Sequence, residues 1–219
     1  NHGQDWKINP IEERPLLSLP VEFWIQFVVG VMAWFISVSV WALRPHQDGT
    51  RYLLLNGFGM IVSAQLAAPY TTRELAIPAE LFWWIDGLNF FGGSLFAASL
   101  AALLLYYPRK LAPRWVGWSI IAINAIWYLL QDQNVVESMT DARRLLVMVS
   151  ILGSFVLGGI HWVKTRKDPV ARASLQYFLL SWVLAAGIFS SMLFIPQLFG
   201  IDTSSLQSYG FTLFLLMYV

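Results

Sequence analysis

The sequence predicts an all-α, polytopic membrane protein: a bundle of about seven transmembrane helices, N-terminus outside the cytoplasm and C-terminus inside. Three observations predict it. Of 219 residues, 57% are hydrophobic and 12% charged, about half the charged share of an ordinary soluble domain. The apolar residues stand in long blocks, and a helix needs roughly 20 such residues to cross the hydrocarbon core. Basic residues collect in alternate loops between the blocks, which sets orientation through the positive-inside bias.

Residues 1–20 are polar and contain Pro10, Pro15 and Pro20, as expected of an extracytoplasmic linker. Seven apolar blocks follow, near 21–43, 52–69, 80–107, 115–131, 144–163, 173–195 and 207–219. The last is expected to continue past the final residues Met217-Tyr218-Val219. The first residue is Asn1, with no signal peptide after it, so the chain is expected to be a piece of a longer protein.

The first, third and fifth connections carry Arg44 and Arg51; Arg109, Lys110 and Arg114; and Lys164, Arg166, Lys167 and Arg172. The other connections carry Arg73, Arg143 and Arg144, and the N-terminal segment adds Lys7 and Arg14. Nine basic residues against three make the odd loops cytoplasmic. Trp24, Trp41, Trp83, Trp84, Trp115, Trp118 and Trp162 fall near span ends, where an indole buries its ring and keeps its N–H wet. Trp34 and Trp182 fall mid-span and are expected between helices.

In lipid, helices associate through close approach of small residues. The third block has Gly93, Ala97 and Ala101 four apart, and the fifth has Ser150, Ser154 and Gly158, with Gly153 and Gly159 nearby. These are candidate packing faces, or sliding faces used in signalling.

Asp86, Asn89 and Gly93 share one face of the third span. An acid inside a span is costly and faces the bundle interior or water. Asp86 therefore reads either as the floor of an outward-facing ligand pocket or as an interfacial residue bonded to a neighbour. Asn56, Gly59, Met60 and Ser63 share a face of the second span, with Gln65 further outward, and Asn124 lies mid-span in the fourth. Their amides need partners. Interhelical hydrogen bonds would supply them, or Asn56, Asn89 and Asn124 line a polar cavity with Asp86. Glu80, Asp132, Glu137 and Asp141, with Arg73, Arg143 and Arg144, mark the outer ends as solvated charge or as a pocket mouth.

Several functions are disfavoured. The histidines are His2, His46 and His161, and His161 lacks a mid-span partner for axial heme ligation. No lysine lies mid-span to hold retinal, and there is no cysteine. No metal-ligand cluster, nucleophile–base pair, phosphate-binding glycine loop or nucleic-acid signature appears, so no catalytic or metal-binding residue is expected. A transporter lacks support from matching halves or broken helices, yet a small-molecule transporter or channel-like membrane protein stands as the alternative.

Three stretches carry a resemblance: "WALRPHQDGTRYLLLNGFG" (Trp41 to Gly59), "LLYYPRKLAPRW" (Leu104 to Trp115) and "KDPVARASLQYFLLSW" (Lys167 to Trp182). They resemble the multi-span sensor region of bacterial two-component histidine kinases of the competence quorum-sensor type. The resemblance implies a signal-input domain in the bacterial inner membrane. It would couple a small or lipophilic signal, or membrane state, to a cytoplasmic phosphotransfer module beyond residue 219. It also implies a homodimer, a response regulator as partner, and ATP with Mg for the kinase module. The chain itself implies no cofactor, and membrane lipids are its other partner.

Overall fold

The computed structural model describes residues 16–71, 77–132 and 139–189, together with 191–192, 196, 199, 201 and 218. The described residues form a short 3-10 turn (Leu16–Ser18) and six helices: α1 (Val21–Leu43), α2 (Asp48–Thr71), α3 (Ala79–Leu104), α4 (Arg114–Asp132), α5 (Met139–Lys164) and α6 (Pro169–Phe189). No strand occurs among them. The linker up to residue 15 and the block at 207–219, apart from Tyr218, lie outside the described residues, as do Arg73 and Glu137.

The chain is a membrane protein by the physics of three of these helices. α1, α2 up to Pro69, and α3 are each long and apolar enough to cross a bilayer. A helix is the natural form there, because it satisfies its own backbone where no water can.

Each helix carries its own start signal. α1 follows the extended Pro20, whose carbonyl accepts from Phe23 N. α2 begins at Asp48, four residues before the apolar block, because its polar first turn projects past the hydrocarbon and an acid there suits the positive end of the helix dipole. α6 begins at Pro169, also four residues early. Proline is favoured at a first helical position, and Asp168 caps the turn, its Oδ1 accepting from Ala171 N at 3.1 Å.

α2 and α3 form the centre. α1 packs on one side of α2, and α4 and α5 pack on α3. The mid-bundle core joins Val29 and Ala33 of α1, Met60, Ala64 and Ala67 of α2, Phe96 and Leu100 of α3, and Trp182 and Ala185 of α6. Trp182 is fully buried and stacks on Phe155 at 5.5 Å, while Trp34 meets Phe58 edge-on at 5.6 Å. Trp83 and Trp84 are 69% and 72% exposed near the start of α3. Tyr218 packs against the same core, and its hydroxyl donates to Asn56 Oδ1.

Candidate functional site

The α2–α3 seam is built from a short pattern that both helices carry. α2 has Asn56-Gly57-Phe58-Gly59 and α3 has Asn89-Phe90-Phe91-Gly92. At the centre the two backbones touch. A Cβ on Gly59 would lie 2.6 Å from Phe96 N and 2.7 Å from Gly92 O. A Cβ on Gly92 would lie 2.5 Å from Ser63 N and 2.8 Å from Gly59 O. Only glycine permits this approach.

Three residues before each glycine, an asparagine reaches across to a backbone carbonyl four residues past the other glycine. Asn56 Nδ2 donates to Phe96 O at 2.8 Å. Asn89 Nδ2 donates to Ser63 O at 2.6 Å and to Ser63 Oγ at 3.1 Å. The helices run antiparallel, so the two bonds are related by a local two-fold axis through the glycine contact. The sequence contains this device as a repeated Asn-x-Phe-Gly.

α1 meets the opposite side of α2. A Cβ on Gly57 would collide with Ser37, and one on Gly30 would lie 3.2 Å from Ala64 Cβ and Ile61 Cα. Gln65 Nε2 donates to Phe27 O at 3.0 Å on the same side.

Asp86 lies one turn before Asn89 and is half-buried. Asn124 is buried in α4, on the far side of α3 from the seam. Tyr128 sets that register: its hydroxyl donates to Gly87 O at 3.2 Å, and its ring meets Phe91 edge-on at 5.2 Å. Gly87 lies roughly 200° around α3 from Asn89. Asn56 and Asn89 thus meet at one interface, and Asn124 belongs to another. The Nδ2 of Asn124 and the Nε1 of Trp127, one turn on, are buried with no hydrogen-bond partner.

α3 and α5 pack against each other. The two helices are parallel, and His161 Nε2 lies 2.5 Å from Leu104 O, 57 residues earlier. Gly93, Ala97 and Ala101 of α3 are each separated by the same 57 residues in sequence from Ser150, Ser154 and Gly158 of α5. Ser154 is buried and turns its hydroxyl back to Ile151 O at 2.6 Å. A Cβ on Gly158 would press on the mobile end of Leu179 in α6 at 2.6 Å, and one on Gly93 would meet Ser63 Oγ at an ordinary 3.7 Å.

The basic end is organised by charges and rings. Asp48 at the start of α2 binds Arg114 Nε at 2.6 Å and Lys110 Nζ at 3.4 Å. That contact holds the Arg114 guanidinium above its ordinary value. Arg109 binds Asp168 at 2.6 Å. The backbone N–H of Ala171, and then Arg109, hold the Asp168 carboxyl below the usual range. Tyr52 stacks on Tyr106 at 5.0 Å, and the Tyr106 hydroxyl donates to Pro113 O at 2.7 Å and accepts from Gly117 N at 3.2 Å. Arg172 lies over the Trp162 ring at 4.8 Å. Among the described residues no acid–histidine cluster could hold a metal. Comparison with family models, curated proteins and solved structures gives no match.

Proposed function

We propose that this chain is the signal-input domain of a sensor histidine kinase: a multi-pass protein of the bacterial inner membrane with seven spans, its N-terminus outside and its C-terminus in the cytoplasm. It works as a homodimer, and a small or lipophilic signal, or membrane state, biases its helix packing. The output is a kinase module that uses ATP and Mg and passes phosphate to a response regulator.

The observation that carries this reading is the two-ended construction of α4. Toward one end it offers two buried donors on one face, Asn124 Nδ2 and Trp127 Nε1, with no acceptor of their own. A lipophilic molecule carrying a carbonyl or hydroxyl oxygen would satisfy them. At its other end α4 starts with Arg114, paired to Asp48 of α2. Ten residues of helix, about 15 Å, join the two. The neighbouring Arg109–Asp168 pair ties the same loop to the start of α6. A ligand shifts such a bundle only if it binds two packings unequally.

The test uses the full-length protein in membrane vesicles with radiolabelled ATP and Mg. Acid-labile, alkali-stable phosphate on the protein is the expected result. A protein that takes no phosphate but moves solutes across the vesicle would be a transporter. Orientation has its own check, helped by the absence of cysteine from these 219 residues. Single cysteines at Arg109 and Lys167 should resist an impermeant thiol reagent in intact cells, and labelling of both would reverse the topology. Asp86→Asn, which keeps shape and removes charge, should shift the signal dose response at unchanged membrane level if the outer face of α3 belongs to the input site. An unchanged response removes Asp86 from it.

A further inference from the structure

A groove of about 460 Å³ opens on the basic end of the bundle, between the α1–α2 corner, α2 and α4. Its mouth carries His46 and Arg51, and its walls are Trp41, Leu54, Leu55 and Trp118. The polarity is ordered by depth. Arg51 lies in the first turn of α2. Leu54 and Leu55 follow three and four residues inward, about 5 Å deeper along the helix axis. Phe58, another turn in, is exposed on the same side. The flanks are apolar and open: Trp41 and Leu43 on α1, and Trp115 and Trp118 on α4, are all exposed. A cationic rim above an apolar track, at the end of membrane-length helices, matches the order of parts in a phospholipid.

Charge sharpens the match. Arg109, Lys110 and Arg114 are each paired with a carboxylate. Arg51 has no ion pair or hydrogen bond among the described residues. It is therefore the cation at the groove available to an outside anion. Histidine donates a hydrogen bond in either charge state, so His46 can second it. Basic pockets between membrane helices take anionic headgroups for this reason.

We infer that the groove binds one anionic glycerophospholipid, its headgroup phosphate on Arg51 and His46 and an acyl chain along Leu54, Leu55 and Trp118. The site depends on the helices lying in a bilayer and is independent of the sensor reading. It places a lipid against the α1–α2 corner, beside the Asp48 pair that anchors the start of α4.

The test is native mass spectrometry of the detergent-purified protein with phosphatidylglycerol, phosphatidylcholine or inorganic phosphate. Phosphatidylglycerol should be retained over phosphatidylcholine. Arg51→Gln should weaken its retention about fivefold, the effect of one basic residue at an anionic lipid surface. Arg44→Gln removes an exposed charge from the same corner outside the groove and should leave retention unchanged. Equal retention of the two lipids, an equal loss in Arg44→Gln, or displacement of lipid by inorganic phosphate would each overturn the proposal. If Arg51→Gln yields no folded protein, the preference of the wild-type protein between the two lipids decides it.

Discussion

At the α2–α3 seam two helices touch through glycine backbones and two asparagine amides. At the basic end, the starts of α2, α4 and α6 are tied by carboxylates and guanidinium groups. Both regions join helices through polar atoms, and the medium explains their difference. Inside hydrocarbon a charge is costly, whereas a neutral amide that finds a carbonyl is satisfied, and removing side chains lets backbones pack. At the aqueous end charges stay hydrated, and an exposed pair adds little but keeps loops in place. The seam should therefore govern whether the bundle forms, and the basic end how its loops are held.

The largest effect should come from added volume at the seam. Gly92→Leu should cost at least about 2 kcal/mol, at the upper part of the range for overpacking, because even its Cβ meets backbone atoms of α2. Gly93→Ala, one residue on, should be nearly silent, since that Cβ has an ordinary contact. Yield of monodisperse protein after detergent extraction reads both. Equal losses would show that the glycine contact does not hold the seam.

Next come the amides. Asn56→Leu and Asn89→Leu should each destabilise the bundle by about 1 kcal/mol, as interhelical hydrogen bonds in membranes do. The two bonds flank one contact, so the double variant should show coupling beyond the sum. Unfolding in a denaturing detergent series measures all three. Strict additivity would mean that the bonds act separately.

The smallest effect belongs to the loops. Asp168→Asn keeps an acceptor at the α6 cap and removes the charge facing Arg109. The folded Asp168 carboxyl titrates below its unfolded value. Its contribution is therefore present above the unfolded value and is lost as pH falls through the folded one. Wild type and variant should differ slightly at neutral pH, more at low salt, and converge in acid. Thermal midpoints across that range test it. A difference that persists below the carboxylate range would assign the effect to the cap rather than to the charge.

Much of the helical layout was legible in the sequence. The first block, 21–43, coincides with α1, and the fourth, 115–131, differs from α4 by one residue at each end. For α1 hydrophobicity alone suffices, because the length of apolar chain needed to cross the core is fixed. The starts of α2, α5 and α6 lie four or five residues ahead of their blocks, because capping and first-turn residues, and not the onset of apolarity, set where a helix begins. For α6 the signal stood in the sequence as Asp168-Pro169, a cap followed by a favoured first residue.

The all-helical class, and the positions of small and polar groups along each helix, follow from the local composition and period of the chain. Tertiary structure alone decided the partners of those groups. Gly92 and Gly93 are equivalent in composition, yet the rotation of α3 against α2 puts Gly92 at the backbone contact. Asn56, Asn89 and Asn124 are equivalent amides in apolar blocks, yet the first two bridge α2 and α3, while the third lies behind α3 with an unsatisfied donor. Rotation about a helix axis leaves every local hydrogen bond intact, so it is set by how neighbouring side chains interlock, a sum over distant parts of the chain.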